Sequence, residues 1–412
     1  GYLARAEYDF DNRYFLSASF RADGSSRFAE DVRWGEFYSV GVAWRLDQET
    51  FAQNLGIFDL LKLRASYGEV GNDSNLDFNA LSFFASQPLL DLGNNNATEP
   101  GVLVGSLGAP LLEWETNAQT DVALEFGMFD YRLNGTIEYY NRETSNLIFD
   151  VPLPLSTGSD DQLANIGAMF NRGIEVSLSG DIIRSSNFTW TLDINASTIS
   201  NEFKELPQEE IITGTKKLVV GGSIYDYFLR EYYGVDPENG DPLFYLDPEA
   251  DFDDPNVRII SGDTLTSIAN DARRGFVGTA IPDLFGAITN KFTIGNFRLG
   301  FLLTYQIGGK TYDSNHARLL ANDNYGSSLG VEALDRWQQP GDVTDVPRRD
   351  GSKDDGDFAS SRFLIDSDFL ALRQANLTYV VPTNLLRNIG LSALSVYASG
   401  ENLFIDTART GM

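Results

Sequence analysis

His316 is the only histidine among 412 residues, and cysteine is absent. A Ser-His-Asp site would have to run through that one imidazole, and a thiolate nucleophile, disulfide, zinc-thiolate or iron–sulfur site has no sulfur to use. His316 lies in the long segment 308–368 with no motif around it and reads as a loop surface residue. No G-x-S-x-G elbow follows a strand, no Walker loop occurs, and no G-x-G-x-x-G opens after a strand. Paired carboxylates for glycoside hydrolysis have no distinguishing spacing, because 59 acidic residues make chance proximity certain. The remaining chemistry is cation binding, by Asp236, Asn239 and Asp241 or by Asp251, Asp253 and Asp254. Neither group has the D-x-[DN]-x-[DN]-G run and distal Glu of an EF-hand. Asp236–Asp241 reads instead as a tight turn, with Asn239-Gly240 supplying left-handed conformations. No catalytic, cofactor-binding or metal-ligating residue is assigned, no cofactor is expected, and the chain does not read as an enzyme.

The elements that position these residues are strands. In Tyr38-Ser39-Val40-Gly41-Val42-Ala43-Trp44-Arg45-Leu46 every even position is large and apolar. Leu61–Tyr67 and Phe188–Ala196 repeat the pattern, so each ribbon has one apolar and one polar face. Alternation predicts strands at 2–8, 14–22, 37–46, 60–68, 118–128, 131–141, 172–180, 188–199, 225–235, 242–246, 284–294, 297–307, 369–380 and 392–404. Short connections (Asp11-Asn12, 47–59, Asp130, 181–187, Asp236–Gly240, Gly295-Asn296 and 381–391) alternate with long ones. The long ones are 23–36, 69–117, 142–171, 200–224, 247–283 and 308–368. Parity is what makes Asp241–Leu246 a strand in this scheme.

One trimmed and one elaborated end is the pattern of an antiparallel up-and-down transmembrane β-barrel, with short periplasmic turns and long outer loops. No run of about 18 apolar residues offers a spanning helix. Arg45, Lys62, Arg64, Glu125, Arg132, Glu138, Glu175, Asp193 and Arg298 fall on the polar phase. Charge on the lipid side at the bilayer midplane costs roughly 2–4 kcal/mol for a base. The opposite phase carries Leu16, Phe20, Val40, Val42, Leu63, Val122, Leu124, Phe126, Ile137, Val176, Leu178, Leu192, Leu299, Phe301 and Leu303. Tyr14, Tyr38, Trp44, Tyr67, Tyr139, Trp190 and Tyr305 lie nearer strand ends on that phase, where interfacial girdles form. A formal charge of −28 disfavours nucleic acid as a partner. Residues 1–15 hold no secretory leader and open directly in a strand, which reads as a fragment boundary. A passive porin or adhesin barrel shares this pattern, and a soluble all-β glycan-binding protein is the rival without a membrane.

Specific motifs then narrow the class. Arg13-Tyr14-Phe15-Leu16-Ser17-Ala18-Ser19-Phe20-Arg21-Ala22-Asp23-Gly24-Ser25-Ser26-Arg27-Phe28 resembles the barrel of SusC/RagA-type TonB-linked outer membrane proteins. Further matches, in the same order, are Arg33-Trp34-Gly35-Glu36-Phe37-Tyr38-Ser39, Leu61–Gly68 with Gly71-Asn72, and Trp114-Glu115-Thr116-Asn117. Asn165-Ile166-Gly167 with Asn171–Glu175, Tyr233–Pro237 with Gly240-Asp241-Pro242, Phe369–Ala375 and Glu401-Asn402-Leu403-Phe404 complete the set. The resemblance implies an integral barrel of a Gram-negative outer membrane, of the Bacteroidota kind, whose residues 1–412 form one partial barrel domain. Its implied partners are membrane lipid, a SusD-like surface lipoprotein, and TonB–ExbB–ExbD acting through an N-terminal region outside this sequence. The implied cargo is an oligosaccharide or peptide. Plug domain, TonB box and closing strand are absent, so about 14 of about 22 strands are expected. The family's acidic segment after Gly240-Asp241-Pro242 is missing from 247–275. Lumen-facing Arg and Glu pairs, and the loop aromatics Phe83, Phe84, Tyr325 and Trp337, are the expected ligand contacts, with no single residue assigned.

Overall fold

The computed structural model describes residues 1–73, 82–96, 99–159, 161–320, 326, 328–350, 359–387 and 390–408. Twelve strands pair in series to form a wall: β1 (Tyr2–Phe10), β2 (Tyr14–Gly24), β3 (Trp34–Arg45), β4 (Phe58–Asn72), β5 (Glu115–Met128) and β6 (Leu133–Ser145), then β7 (Ala168–Arg184), β8 (Phe188–Ser197), β9 (Leu284–Ile294), β10 (Phe297–Ile307), β11 (Phe369–Val380) and β12 (Ser395–Thr407). Each pairs antiparallel with the next, and Ser200–Glu205 adds a thirteenth strand beside the upper part of β7. β1 and β12 do not pair with each other, so among the described residues the wall is an open sheet.

The expected alternation of connections is present. Asp11 and Asn12 turn the first hairpin with φ of 58° and 49°, the double left-handed geometry that matches strand twist. Two expected strands are corrected. Segment 225–235 divides into Asp226–Arg230 and Tyr232–Val235, which join two different four-stranded sheets outside the wall. Segment 242–246 contributes Pro242–Tyr245 to the second of these. Strands of four or five residues are too short to cross a bilayer, which takes about 9–11. Removing a pair of strands also leaves the short-long parity intact, so parity had no power to reject them. The wall therefore has twelve serial strands rather than fourteen, and β8 and β9 are joined by a single long connection that starts with the extra strand Ser200–Glu205. Arg132, expected on a strand, stands in the turn before β6.

The hydrophobic core is displaced from the wall into the long connections. Phe28, Ala85, Ala109 and Leu112 form one buried cluster, which ties three successive connections together through Trp114, Ile148 and Leu163. Leu147, Phe203 and Leu218 form a second, and Ala317, Leu320 and Phe363 another. Phe28 and Phe203 are each 1% exposed. On the wall the apolar phase is open: Leu16, Phe20, Val40, Val42, Leu63, Val122, Ile137 and Leu299 are 39–51% exposed. A water-soluble sheet would bury such a continuous surface. Among the described residues no helix is long and apolar enough to cross a membrane, so any crossing is made by strands.

Candidate channel wall and ligand-facing loops

Register brings the expected polar-phase charges together across strands. Lys62 opposes Glu125, and Arg64 lies one rung further along the same face. Glu125 accepts from Lys62 Nζ at 3.3 Å and from Arg64 Nε at 2.9 Å. Arg64 Nη2 reaches on to Glu138 at 2.6 Å. Three strands are thereby joined by one half-buried network, more ordered than an isolated surface pair. A second link runs from Ser179 Oγ to Asp193 Oδ1 at 2.5 Å and from Lys291 Nζ to Asp193 Oδ2 at 2.8 Å, joining β7, β8 and β9.

Towards the long-loop end, this polar face is hollow. Two rungs carry only serine or glycine on β2, β3 and β4, and a longer polar side chain on β5: Ser17–Gly41–Ser66–Asp121 and Ser19–Ser39–Gly68–Gln119. With little side-chain volume on those three strands, the space above them is a cleft of about 1110 Å³. Its floor presents hydroxyls, with Ser19 Oγ and Ser39 Oγ 2.7 Å apart and Ser66 Oγ donating to Asp121 at 3.2 Å. At its lip Arg27 donates to the Asp73 carbonyl at 2.6 Å, and its guanidinium lies 5.2 Å from the Phe83 ring centroid. The sequence marks Phe83 by its type alone and gives no sign of the cleft, although the Ser/Gly rungs are recoverable once the register of β2–β5 is known.

The loop aromatics divide. Phe83 and Phe84 are exposed, and Phe83 lines the cleft. Trp337 instead packs on the Asp236–Asp241 turn, donating through Nε1 to the Pro237 carbonyl at 3.1 Å. Tyr325 lies outside the described residues. In that turn only Gly240 is left-handed, at φ 77°. Asn239 caps it through its side chain, accepting from Asp241 N at 2.9 Å. A Cβ on Gly240 would stand 2.4 Å from the Trp337 ring, so glycine is fixed there by contact as well as by conformation. Asp241 is buried and accepts from Arg348 Nε at 2.8 Å, while Arg258 Nε lies 3.8 Å from Asp236. Of the carboxylates weighed as cation ligands, Asp241 thus ties Arg348 to the turn, while Asp251 and Asp254 accept from the backbone amides of Asp253 and Asn256 in their own turns. His316 is half-buried in the short helix Ser314–Leu320, edge-on to Phe363 at 5.8 Å, rather than a free surface residue. Nearby, burial pushes the Tyr232 hydroxyl up to about 12, against the opposing charge of Arg362.

Tyr14 stacks on Trp44 at 6.2 Å near the short-turn end, and Tyr38 meets Tyr67 at 6.3 Å in the other half. An open wall of antiparallel strands, apolar on one side and charge-paired on the other, defines a segment of a membrane β-barrel. The chain belongs to the TonB dependent receptor-like β-barrel family, whose model matches residues 1–403. TonB-dependent receptor P39 of Formosa agariphila is 31% identical over 99% of this chain and 42% of that protein. TonB-dependent receptor SusC of Bacteroides thetaiotaomicron is 28% identical over 100% of this chain and 41% of that protein. A solved structure of the RagAB peptide transporter superposes with a TM-score of 0.82 at 25% identity, covering 99% of this chain and 44% of that one. The SusC/RagA resemblance is borne out, and the chain spans about two-fifths of the length of its curated relatives.

Proposed function

We propose that residues 1–412 are part of the barrel domain of a SusC/RagA-type TonB-dependent importer in a Gram-negative outer membrane. The whole protein admits an oligosaccharide or peptide, works with a SusD-like surface lipoprotein, and is driven by TonB–ExbB–ExbD. The observation that carries this reading is the pairing of an exposed apolar face with a charge-networked polar face on the same strands. Lipid cannot satisfy backbone polar groups, so such strands span it only as a closed, fully paired wall. The contribution of this chain is binding and passage, with no bond made or broken. The hydroxyl-floored cleft and the Arg27–Phe83 lip face the cargo, and the packed long connections form its outer vestibule.

Deleting the gene that encodes this chain, then feeding labelled oligosaccharides and peptides, tests the reading. Uptake of one class should vanish in the deletion and equally in a strain without TonB. Uptake that persists without TonB would replace the importer with the passive porin. Recovery of the complete protein from the aqueous fraction without detergent would remove the barrel altogether.

A further inference from the structure

The connection between β3 and β4 differs from the two- to four-residue turns at 11–13, 129–132, 185–187 and 295–296. It contains a 3-10 turn, Leu46–Gln48, and a short helix, Thr50–Gln53. Two carboxylates two residues apart reach opposite faces of the wall. Asp47 is held by Arg45, Nε at 2.7 Å and Nη2 at 2.6 Å, on the polar side, and accepts from Leu61 N at 3.1 Å. Glu49 Oε1 accepts from Tyr14 Oη at 2.8 Å and Trp44 Nε1 at 3.0 Å, both on the apolar side, with Arg13 Nη1 at 3.4 Å from Oε2. The backbone thus crosses beneath the wall between these two residues and emerges on the outer side.

Beyond Glu49 the connection carries three uncovered apolar side chains among the polar Thr50, Gln53 and Asn54. Phe51 is 57%, Leu55 59% and Ile57 40% exposed, while Ala52 is buried. Phe10, Tyr14 and Trp44 form a stacked run beside them, at 6.4 and 6.2 Å. Phe51, Leu55 and Ile57 therefore prolong the apolar face of β2–β4 past the ends of its strands, with tyrosine, tryptophan and a carboxylate at the join. Rings with a polar edge favour the headgroup level of a bilayer, and short amphipathic segments lie in that plane.

We propose that residues 50–57 are an interfacial foot, seated among the phospholipid headgroups of the inner leaflet and tied to the aromatic girdle by Glu49. Continuity with the apolar belt selects lipid as the occupant, and the inference rests on the membrane reading of the wall. The foot fixes the height of this part of the wall by resisting movement in either direction. Glu49 stays ionised because Trp44 and then Tyr14 donate to it, which holds its carboxyl below the usual range.

These 412 residues hold no cysteine, so one introduced here takes a single nitroxide label once any cysteine elsewhere in the complete protein is replaced by serine. Labels at Phe51→Cys and Leu55→Cys, with Val122→Cys on the apolar face and Ser186→Cys in a polar turn, are to be placed in the complete protein in phosphatidylethanolamine–phosphatidylglycerol vesicles. Collision with oxygen and with a soluble nickel chelate is then measured at each. The oxygen-to-nickel ratio at 51 and 55 should lie severalfold above that at 186 and below that at 122. Ratios at 51 and 55 equal to 186 would overturn the foot, and so would exclusion of both reagents, which means protein covers the patch. A low ratio at 122 would instead overturn the membrane reading itself. If either foot variant fails to assemble, maleimide labelling of the other in vesicles against detergent gives the same discrimination: protection in vesicles supports the foot, and equal labelling overturns it.

Discussion

The wall and the connections above it use the same side chains in opposite ways. On β2–β6, valine, leucine and isoleucine stand open while arginine and glutamate are tied to each other. In the connections Phe28, Leu112, Phe203 and Leu218 are buried, and acids such as Asp247 and Asp251 cap turns. The difference lies in the solvent each region meets, since apolar surface is driven inward only where water is the alternative. A strand in lipid gains nothing by hiding Val42, whereas a loop in water must hide Phe28. The wall takes its cohesion from backbone pairing, and the loops take theirs from packing.

Five substitutions test that contrast. Phe203→Ala should cost about 3–5 kcal/mol locally. Proteolysis and hydrogen exchange should rise across 198–224, including the extra strand Ser200–Glu205, while the twelve serial strands stay protected, and equal loosening of those twelve would erase the distinction. Val122→Arg should cost about 2–4 kcal/mol in vesicle refolding, with the same charge at Ser17 on the opposite face costing under about 1 kcal/mol. Equal costs at the two sites would mean the apolar face does not meet lipid.

Asp47 sharpens the boundary between the regions. Burial raises its carboxyl, but hydrogen bonds from Arg45, Gln48 and the Leu61 amide outweigh this and hold it at about 2, against 3.8 in the open chain. A depressed acid adds stability above its unfolded value and loses it as pH falls, so this contribution fades between about pH 4 and about pH 2. Asp47→Asn should remove about 2 kcal/mol at neutral pH and abolish that acid step in thermal melts of the reconstituted protein. The smallest effect belongs to Arg64→Met, which leaves Glu125 and Glu138 half-exposed. Stability should change by about 1 kcal/mol or less, while passage of cations relative to anions rises in a conductance measurement.

Most of the wall was legible because period-two alternation is local, and a single ribbon such as Tyr38–Leu46 is enough to show which side is apolar. Family motifs such as Arg13–Phe28 and Leu61–Gly68 carried the class. The small sheets of the 198–283 connection misled because Tyr232–Val235 and Pro242–Tyr245 are genuine strands, and alternation does not say which sheet a strand joins. Likewise Trp337 and Phe83 are equal as letters, yet one is fixed over Gly240 and the other opens on the cleft.

By itself, the sequence determined the two-faced strands, the alternation of short and long connections, the lack of any thiol in these 412 residues, and the family. Side-chain periodicity and turn chemistry are set by neighbours along the chain, so they can be read along it. Tertiary structure alone decided that twelve strands make the wall, that Arg64 bridges two glutamates, that serine and glycine rungs align into a cleft, and that Glu49 turns the 46–57 connection towards the apolar face. Each of these depends on register between residues distant in sequence, and register is fixed only when the strands have paired.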